Sequence, residues 1–336
     1  MKALKVNKKT TLVLIIFSVF ISLIIVEVLL QLIGFKPWKY EKSESGNQEI
    51  FKKDNELGWI AKKGIYELNI NSNVKSKIKF TIENSGNRQT SIDNLKKKNI
   101  FFIGGSFTQG WGVNDDNTFA YLIQNKFNNY KVYNFAQSGY GGVQSLLLLK
   151  RKLKNYKSTK LIVYGFIEHH EQRNVARKNW LETLLRYSKR GYDQIPKVPY
   201  ASINKKGKLI YHKPVSYIML PLREKFASVV LIEKFYMKQT TKHRKKNQKT
   251  ITKKIFIELN NVAKKNNTNF LIVNLSSSNE NEYKNFLSEN KIDYVNCNFF
   301  LSKDLLVKND FHPNEKAHSL YSKCISSYIS KNNLLF

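Results

Sequence analysis

A run of apolar residues near the N-terminus constrains this chain more than any other feature of its sequence. Between residues 11 and 35 the only ionisable side chain is Glu27. Backbone polar groups in a bilayer must pair within their own segment, so an apolar run of this length predicts a membrane-spanning helix. A cleaved signal peptide has a shorter apolar core that ends at small residues, whereas this run exits through Lys36 and Pro37. We therefore predict an uncleaved anchor at 11–35, after a basic cytoplasmic tail at 1–10.

The lysines on either side of this run bear on its orientation. Those before it are Lys2, Lys5, Lys8 and Lys9, and those close behind it are Lys36, Lys39 and Lys42. The small excess before the run favours a cytoplasmic N-terminus and a body outside the membrane, in the periplasm or at the cell surface. Glu27 lies towards the outer end, near Gln31. We expect its side chain to be protonated or to reach the interface, rather than to act inside the membrane.

The chain is strongly basic, with 57 Lys and Arg residues against 25 Asp and Glu and a formal charge of +32. Such a charge suits an anionic partner. The basic residues are mostly lysines spread over nearly the whole chain, which favours a compositional habit of the source over a dedicated polyanion site. Aromatic and basic residues are not interleaved, so we predict no nucleic-acid partner.

The two cysteines, Cys297 and Cys324, have no motif spacing. Neither a zinc site nor a disulfide scaffold is indicated. Cys324 falls on the apolar face of the last predicted helix, where we expect a small buried hydrophobic residue.

After residue 98, short apolar runs, Gly/Ser/Asn loops and helical periodicity alternate in the order of parallel strands and crossover helices. The predicted strands are 99–103, 131–135, 160–166, 269–275 and 292–295. The predicted helices are 118–127, 143–156, 252–265, 280–288 and a closing helix over 317–329. This order predicts a three-layer α/β/α domain of the flavodoxin-like type at 98–335, with a mostly parallel five-stranded sheet. Residues 36–97 read as a linker and a small β-rich segment.

An insertion is predicted at about 187–250, where the alternation stops. Its prolines are Pro196, Pro199, Pro214 and Pro221, and proline interrupts helices and sheet ladders alike. Insertions of this kind often lie over the strand ends that carry a site. The basic run 242–246 that follows could bind anionic headgroups, although a solvated helix face is the favoured interpretation.

Ser106 follows the first predicted strand of this domain through Gly104 and Gly105. A hydroxyl after the carboxyl end of a strand lies where open α/β sheets bind their ligands. Loops of this composition also cradle phosphate, but the Gly-Lys-Ser/Thr and Gly-x-Gly-x-x-Gly patterns are both missing from the sequence. Ser106 is therefore a candidate nucleophile.

A base for this serine is found near the other end of the chain, where Asp310 and His312 stand just before the closing helix. A serine hydroxyl needs a base near neutral pH, and an imidazole held by a carboxylate provides one. We predict His312 as the base and Asp310 as its acid, although five other histidines compete.

Together these segments resemble the SGNH (GDSL-like) hydrolase family, whose four signature blocks supply a Ser, a Gly, an Asn and a His. The first block resembles 104–110, which implies that Ser106 is the nucleophile and its N–H an oxyanion donor. Gly105 replaces the family's usual Asp. The second block resembles 134–141 and implies Gly139 as a second oxyanion donor. The last block resembles 310–314, which implies the same acid and base.

Two positions depart from the family pattern. Many members place the acid three residues before the histidine, where this chain has Asn309; others use the tighter spacing that Asp310 offers. The third block, usually Gly-x-Asn-Asp, is replaced by 165–174, in which His170 or Asn174 could supply the missing oxyanion donor. Polar residues capping a helix, or a metal site at 168–171, are the alternatives for this segment.

The resemblance implies a Ser-His-Asp esterase that needs no cofactor or metal and acts on an acyl ester of an envelope glycan or lipid, with O-acetyl as one candidate. The same acyl-enzyme could instead be captured by a sugar hydroxyl, which would make the protein an O-acyltransferase. A non-catalytic, membrane-tethered binding protein for acidic glycan or lipid is the alternative from another class. The sequence leaves the acyl chain, the acceptor and the oligomeric state open.

Overall fold

The computed structural model describes residues 7–39, 50–68, 77–91, 98–185, 196–275, 281–299 and 301–335. Part of the predicted basic tail (1–6), of the linker (40–49, 69–76 and 92–97) and of the insertion (187–195) lies outside these residues. The predicted apolar helix is present as α1 (Lys8–Leu32). In the described part of the chain it is the one helix long and apolar enough to span a membrane, a test that signal sequences also pass.

The centre of the body is a five-stranded parallel sheet. Its strands are β5 (Asn99–Gly104), β6 (Lys131–Asn134), β7 (Thr159–Phe166), β10 (Asn269–Asn274) and β11 (Asp293–Asn296). They lie in the order β11-β10-β7-β5-β6. All five agree with the predicted strands to within one residue, and the predicted fold class is confirmed.

Helices cover both faces of the sheet. They are α2 (Ser106–Gln109), α3 (Phe119–Lys126), α4 (Gly142–Leu153), α5 (His169–Asn174), α6 (Lys178–Leu185), α7 (Ala227–Lys246), α8 (Gln248–Lys265), α9 (Asn281–Glu289) and α10 (Glu315–Lys331). Alternate residues of a strand point to opposite faces, and β5 shows the result. Phe101 and Ile103 pack with α4 and α8, while Ile100 and Phe102 pack with α3 and α10.

Three antiparallel hairpins lie outside the sheet core. They are formed by β1 (Phe51–Asp54) with β2 (Gly58–Ala61), β3 (Gly64–Leu68) with β4 (Ile78–Ile82), and β8 (Val198–Ile203) with β9 (Leu209–Val215). The first two correspond to the β-rich segment expected before residue 98. The third begins the described part of the insertion, and α7 follows it.

Helix α7 joins the insertion to α1, which the sequence did not predict. The carboxylate of Glu27 accepts hydrogen bonds from the backbone N–H of Ala227 and from the N–H and Oγ of Ser228. The side chain expected to be protonated or to reach the interface is instead bound to the first turn of α7. The basic run forms the end of this helix, where Arg244 donates to the carbonyl of Ala176 and four neighbours are exposed: Lys242, His243, Lys245 and Lys246.

The cysteines form a disulfide, and this corrects the expectation drawn from their spacing. Cys297 follows β11 and Cys324 lies on α10, with their Cα atoms 5.8 Å apart. The two residues are 27 positions apart in sequence, and only the packing of α10 beside the end of β11 brings them together. Cys324 thus lies on the apolar side of α10 as predicted, but as half of a cross-link.

Candidate active site

Ser106 is placed by the sharp turn between β5 and α2. Gly104 has φ +149, and a side chain there would meet Thr108 Oγ1 at 2.6 Å and the carbonyl of Gly165 at 2.7 Å. Glycine at this position therefore lets β5 pass close to both α2 and β7. Ser106 begins α2 and is only 4% exposed. The turn holds its hydroxyl at the carboxyl edge of the sheet.

A relay of hydrogen bonds connects Ser106 with the loop before α10. Ser106 Oγ lies 2.8 Å from His312 Nε2, across 206 residues of sequence. His312 Nδ1 lies 2.5 Å from Asp310 Oδ1, which also accepts from the His312 backbone N–H at 3.0 Å. A carboxylate at Nδ1 favours the tautomer whose unprotonated Nε2 faces Ser106 Oγ. Asp310, and not Asn309, is the residue whose side chain pairs with His312.

The electrostatics of Asp310 agree with this arrangement. Burial opposes its ionisation, but the hydrogen bonds and charge of His312 outweigh burial and hold the pKa of Asp310 below its ordinary value. The edge of the Phe107 ring packs against His312, with ring centroids 5.7 Å apart. An ionised acceptor and an apolar wall thus orient the imidazole from two sides.

The other histidines have different surroundings. His170 contacts Tyr164 Oη, His212 contacts Ser202 Oγ, His318 accepts from the backbone N–H of Phe119, and His169 and His243 are exposed. Burial lowers the pKa of His318 to about 3. Of the six histidines, His312 alone joins a serine to a carboxylate in the described part of the chain.

Gly139 lies on the loop after β6, with φ +82. A side chain here would come within 2.9 Å of the Trp59 ring and 3.4 Å of the Trp180 ring. The loop is tied to α2, which carries Ser106, because Gln109 Oε1 accepts from Ser138 N at 2.8 Å and from Ser138 Oγ at 2.6 Å. The first and second sequence blocks are therefore fastened to each other.

The third segment corrects one prediction. Asn174 is fully buried, its Nδ2 donates to Thr252 Oγ1 at 2.9 Å, and its Oδ1 accepts from Val143 N at 3.2 Å. Its amide thus fastens α5 to α8 and to the start of α4, because it is the last residue of α5 and faces those helices. Asn174 does not fit the role of oxyanion donor.

His170, the other candidate in this segment, packs behind the turn between β5 and α2. Its Nδ1 lies 2.7 Å from Tyr164 Oη, and its Nε2 is buried with no hydrogen-bond partner among the described residues. Burial, aided by the Arg173 cation, holds the pKa of His170 well below its ordinary value, so the ring is neutral.

The limited space beside Gly105 accounts for a glycine at the position where the SGNH family, which the sequence resembles, usually has Asp. Gly105 has φ −95 and ψ −158, a conformation open to any residue. A Cβ there would lie 2.8 Å from His170 Nε2, 3.1 Å from Arg173 Nη1 and 3.2 Å from the carbonyl of Tyr140. The side chains of α5 therefore occupy the volume that a larger residue would need.

The proposed metal alternative at 168–171 has divergent side chains. Glu168 and His169 are exposed, whereas Glu171 accepts from Tyr283 Oη at 2.6 Å and from Gln248 Nε2 at 2.9 Å. No three His, Cys, Asp or Glu side chains group as metal ligands in the ranges that the structure describes.

Two residues that contact the site loops lie in the segment before residue 98, which was predicted only as a linker and a small β-rich segment. Trp59 on β2 covers Gly139, and its Nε1 donates to the carbonyl of Ser138 at 3.0 Å. Its setting, Gly58-Trp59-Ile60, is the only signal that could have pointed to it. A large aromatic residue in a polar segment often marks a packing contact with another part of the fold.

Arg88 is the second such neighbour and is completely buried. Its Nε pairs with Asp115 at 3.0 Å, and its other nitrogens donate to backbone carbonyls at the end of α2 and in the loop that follows it, including those of Gln109 and Val113. Burial lowers its pKa to about 10, although Asp115 opposes the shift. An arginine in a lysine-rich chain is a weak hint of such a multidentate contact.

Comparison with known proteins gives structural matches only. No protein-family model matches the chain, and no curated protein sequence matches it. The crystal structure of TesA is similar with 12% identity and a TM-score of 0.41, over 70% of this chain and 99% of TesA. The psychrotrophic esterase EstA from Pseudoalteromonas sp. is similar with 12% identity and a TM-score of 0.40, over 70% of this chain and 97% of EstA.

A member of the lipolytic protein G-D-S-L family from Veillonella parvula is also similar, with 9% identity and a TM-score of 0.37, over 70% of this chain and 99% of that protein. These likenesses concern the fold, and the chemistry has to be argued from the site.

Proposed function

We propose that this chain is a serine ester hydrolase of the SGNH type, held on the outer face of a membrane by α1. The observation that carries the proposal is the relay from Ser106 through His312 to Asp310, with distances of 2.8 and 2.5 Å. These are the distances over which a base takes a serine proton and a carboxylate orients the base. A binding protein has no need of this alignment.

In the proposed reaction, His312 Nε2 takes the proton of Ser106 as its Oγ attacks the ester carbonyl. The carbonyl oxygen becomes an oxyanion, and the imidazolium is stabilised by Asp310. His312 then protonates the leaving alkoxide, which leaves an acyl-Ser106. Water, activated by the same imidazole, releases the acid and restores the serine.

The backbone N–H groups of Ser106 and Gly139 are the proposed oxyanion donors. In the described part of the chain neither N–H donates to another protein group, and the hydrogen bonds of Gln109 hold the two loops together. Preorganised donors of this kind typically contribute a factor of about 10²–10³ in kcat each. His170 is proposed to act by packing behind the turn rather than as a third donor.

Two observations support a position outside the cytoplasm. Helix α1 has the length and composition of a membrane anchor. The Cys297–Cys324 disulfide is of a kind that persists in oxidising compartments and is rare in the cytosol. Both agree with a cytoplasmic N-terminus and an external body.

We propose that the substrate carries a small acyl group. Ser106 is 4% exposed, and Trp59 and Trp180 wall the Gly139 side of the site. An acetyl group fits such a covered nucleophile better than a long chain does. We therefore propose an O-acyl ester of an envelope glycan or lipid, with O-acetyl as the first candidate.

Hydrolysis of p-nitrophenyl acetate by the full-length protein in detergent tests the proposal. Ser106→Ala should abolish turnover, while Ser202→Ala should leave it unchanged, because Ser202 contacts a histidine that no carboxylate holds among the described residues. Equal inertness of wild type and Ser106→Ala on short and long acyl esters would count against an enzyme. Adding a sugar acceptor and measuring acetate against acetylated sugar separates hydrolysis from transfer.

A further inference from the structure

Helix α7 presents an apolar face that the rest of the body leaves uncovered. Its buried side, with Val230, Glu233 and Met237, packs on the domain. The opposite side carries large exposed side chains, among them Ile232 at 59% and Phe235 at 62%. Together with the preceding loop, the exposed set is Leu222, Phe226, Leu231, Ile232, Phe235 and Tyr236. Apolar patches of this kind mark an interaction surface.

The position of α1 identifies what covers this face. Ser228 donates to Glu27 of α1 through its N–H and its Oγ. Residues spaced by four and seven share a face of a helix, so Ile232 and Phe235 lie on the side of α7 that Ser228 presents to α1. Whatever surrounds the outer end of α1 therefore also surrounds these two side chains.

The contact of Glu27 with the first turn of α7 also sets the depth of α7 relative to the outer end of α1. Glu27 lies five residues before Leu32, the last residue of α1, which corresponds to about 7.5 Å along the helix axis. The first turn of α7 thus meets the anchor below its outer end. Interfacial helices bury their apolar face about 5–10 Å into the boundary of headgroups and acyl chains.

The same face of α7 changes from apolar to basic with distance from the anchor. Lys242 and Lys246 stand seven and eleven residues after Phe235, in register with it, and both are exposed. Lysines at that level match the anionic headgroups of a membrane surface.

The junction is also rigidly built. As the chain leaves α1, the Trp38 N–H donates to the carbonyl of Arg223 at 3.0 Å, and the Arg223 guanidinium lies 4.3 Å from the Trp38 ring centroid. Arg223 in turn pairs with the buried carboxylate of Glu233 at 3.2 Å. The anchor exit, the loop and α7 are thereby held in one arrangement.

We propose that the loop before α7 and the first half of α7 insert into the outer leaflet beside α1, so that lipid is the partner of this face. The body is then held on the bilayer at two places, which restricts how the active site is turned relative to the membrane surface. This inference rests on the proposal that α1 spans the membrane, and its test separates the two.

Site-directed fluorescence on the full-length protein in phosphatidylcholine/phosphatidylglycerol vesicles provides the test. The natural cysteines are paired, so one new cysteine carries the label. Phe235→Cys probes α7, Phe20→Cys probes the middle of α1, and Ile65→Cys is a matched apolar control, 72% exposed on β3. Circular dichroism checks that each labelled variant is folded.

Quenching by nitroxide lipids reads the result, with a shallow nitroxide for Phe235→Cys and Ile65→Cys and a nitroxide near the end of the acyl chain for Phe20→Cys. Emission at Phe235→Cys should fall by about half, as expected for a side chain buried roughly 5–10 Å into the interface, and Ile65→Cys should stay unquenched. If Phe20→Cys is quenched and Phe235→Cys behaves like Ile65→Cys, the α7 proposal is wrong while the anchor stands. If Phe20→Cys is not quenched either, both proposals fail. Ester hydrolysis by the same samples reports on the catalytic proposal independently.

Discussion

The limited space beside Gly105 allows the destabilisation caused by a larger residue to be estimated from distances. In Gly105→Ala the new methyl group would lie 2.8 Å from His170 Nε2, where ordinary contacts are 3.4 to 4 Å. The backbone at this position accepts any residue, so the cost is steric alone. His170 is fully buried and bound to Tyr164 Oη, and it cannot swing aside. Overpacking of this kind destabilises a protein by about 1–3 kcal/mol.

Removal of the ring should relieve the clash. His170→Ala alone leaves Tyr164 Oη without its partner and opens a cavity, which we expect to cost about 2–4 kcal/mol. In the double variant the methyl group of residue 105 enters the space that the ring has left. The double variant should therefore lose less stability than the two single variants lose together, and the difference is a coupling free energy of about 1–3 kcal/mol.

Urea unfolding of the full-length protein in detergent, followed by tryptophan fluorescence, measures this coupling. Trp59 and Trp180 both border the site and report on it. His212→Ala, which removes a histidine that does not contact residue 105, serves as the control and should combine additively with Gly105→Ala. A Gly105→Ala variant as stable as the wild type, or strict additivity with His170→Ala, would refute the steric explanation for the missing Asp.

Three further predictions concern the relay, the cross-link and the buried arginine. Asp310→Asn should lower kcat on p-nitrophenyl acetate by roughly 10³–10⁴-fold. Because the folded-state pKa of Asp310 is lowered, its ionised form stabilises the wild type above the ordinary pKa of about 3.9. That advantage over Asp310→Asn should vanish in urea titrations as the pH falls through the folded-state value. Replacing Cys297 and Cys324 together by serine should reduce stability by about 3–4 kcal/mol, as expected for the loop that they close; an unchanged urea midpoint would contradict this. Arg88→Lys should lose several of the carbonyl contacts and lower stability by about 2–4 kcal/mol, whereas a loss below 0.5 kcal/mol, about the scatter of a surface change, would contradict the clamp.

The sheet and its helices were predictable because the pattern of each element lies within a short stretch of sequence. The central strands β5 and β7 are buried almost throughout and read as apolar runs, and α10 repeats its apolar residues at helical spacing. The pairing of Ser106 with His312 and Asp310 was predictable for another reason. Glycines before a serine at a strand end, and an Asp-x-His before a helix, are short patterns whose chemistry depends on few residues.

The remaining features depend on contacts between distant segments. Trp59 reaches the loop of Gly139 from a hairpin, and Arg88 reaches the end of α2 and the loop after it from the segment that follows β4. Neither segment carries a catalytic motif. The disulfide needs α10 to lie beside the end of β11. The spacing of residues along the chain does not indicate contacts between distant segments. The sequence alone therefore did not predict the contacts of Trp59, the contacts of Arg88 or the disulfide.

The error at Asn174 has a similar cause. Residue type and position made it a reasonable oxyanion donor, but α5 turns its amide towards Thr252 and Val143. Which face of a short helix looks into a site is decided by packing with its neighbours, here α4 and α8. Periodicity over six residues is too short to show it.

The central claim is that Ser106 is the nucleophile, and covalent labelling tests it most directly. Full-length protein is treated with a fluorophosphonate, digested, and mapped by mass spectrometry. We expect one adduct, on Ser106, that forms far more slowly in His312→Ala and at the wild-type rate in His243→Ala. An adduct on another serine, or continued p-nitrophenyl acetate hydrolysis with Ser106 unmodified, would contradict the account.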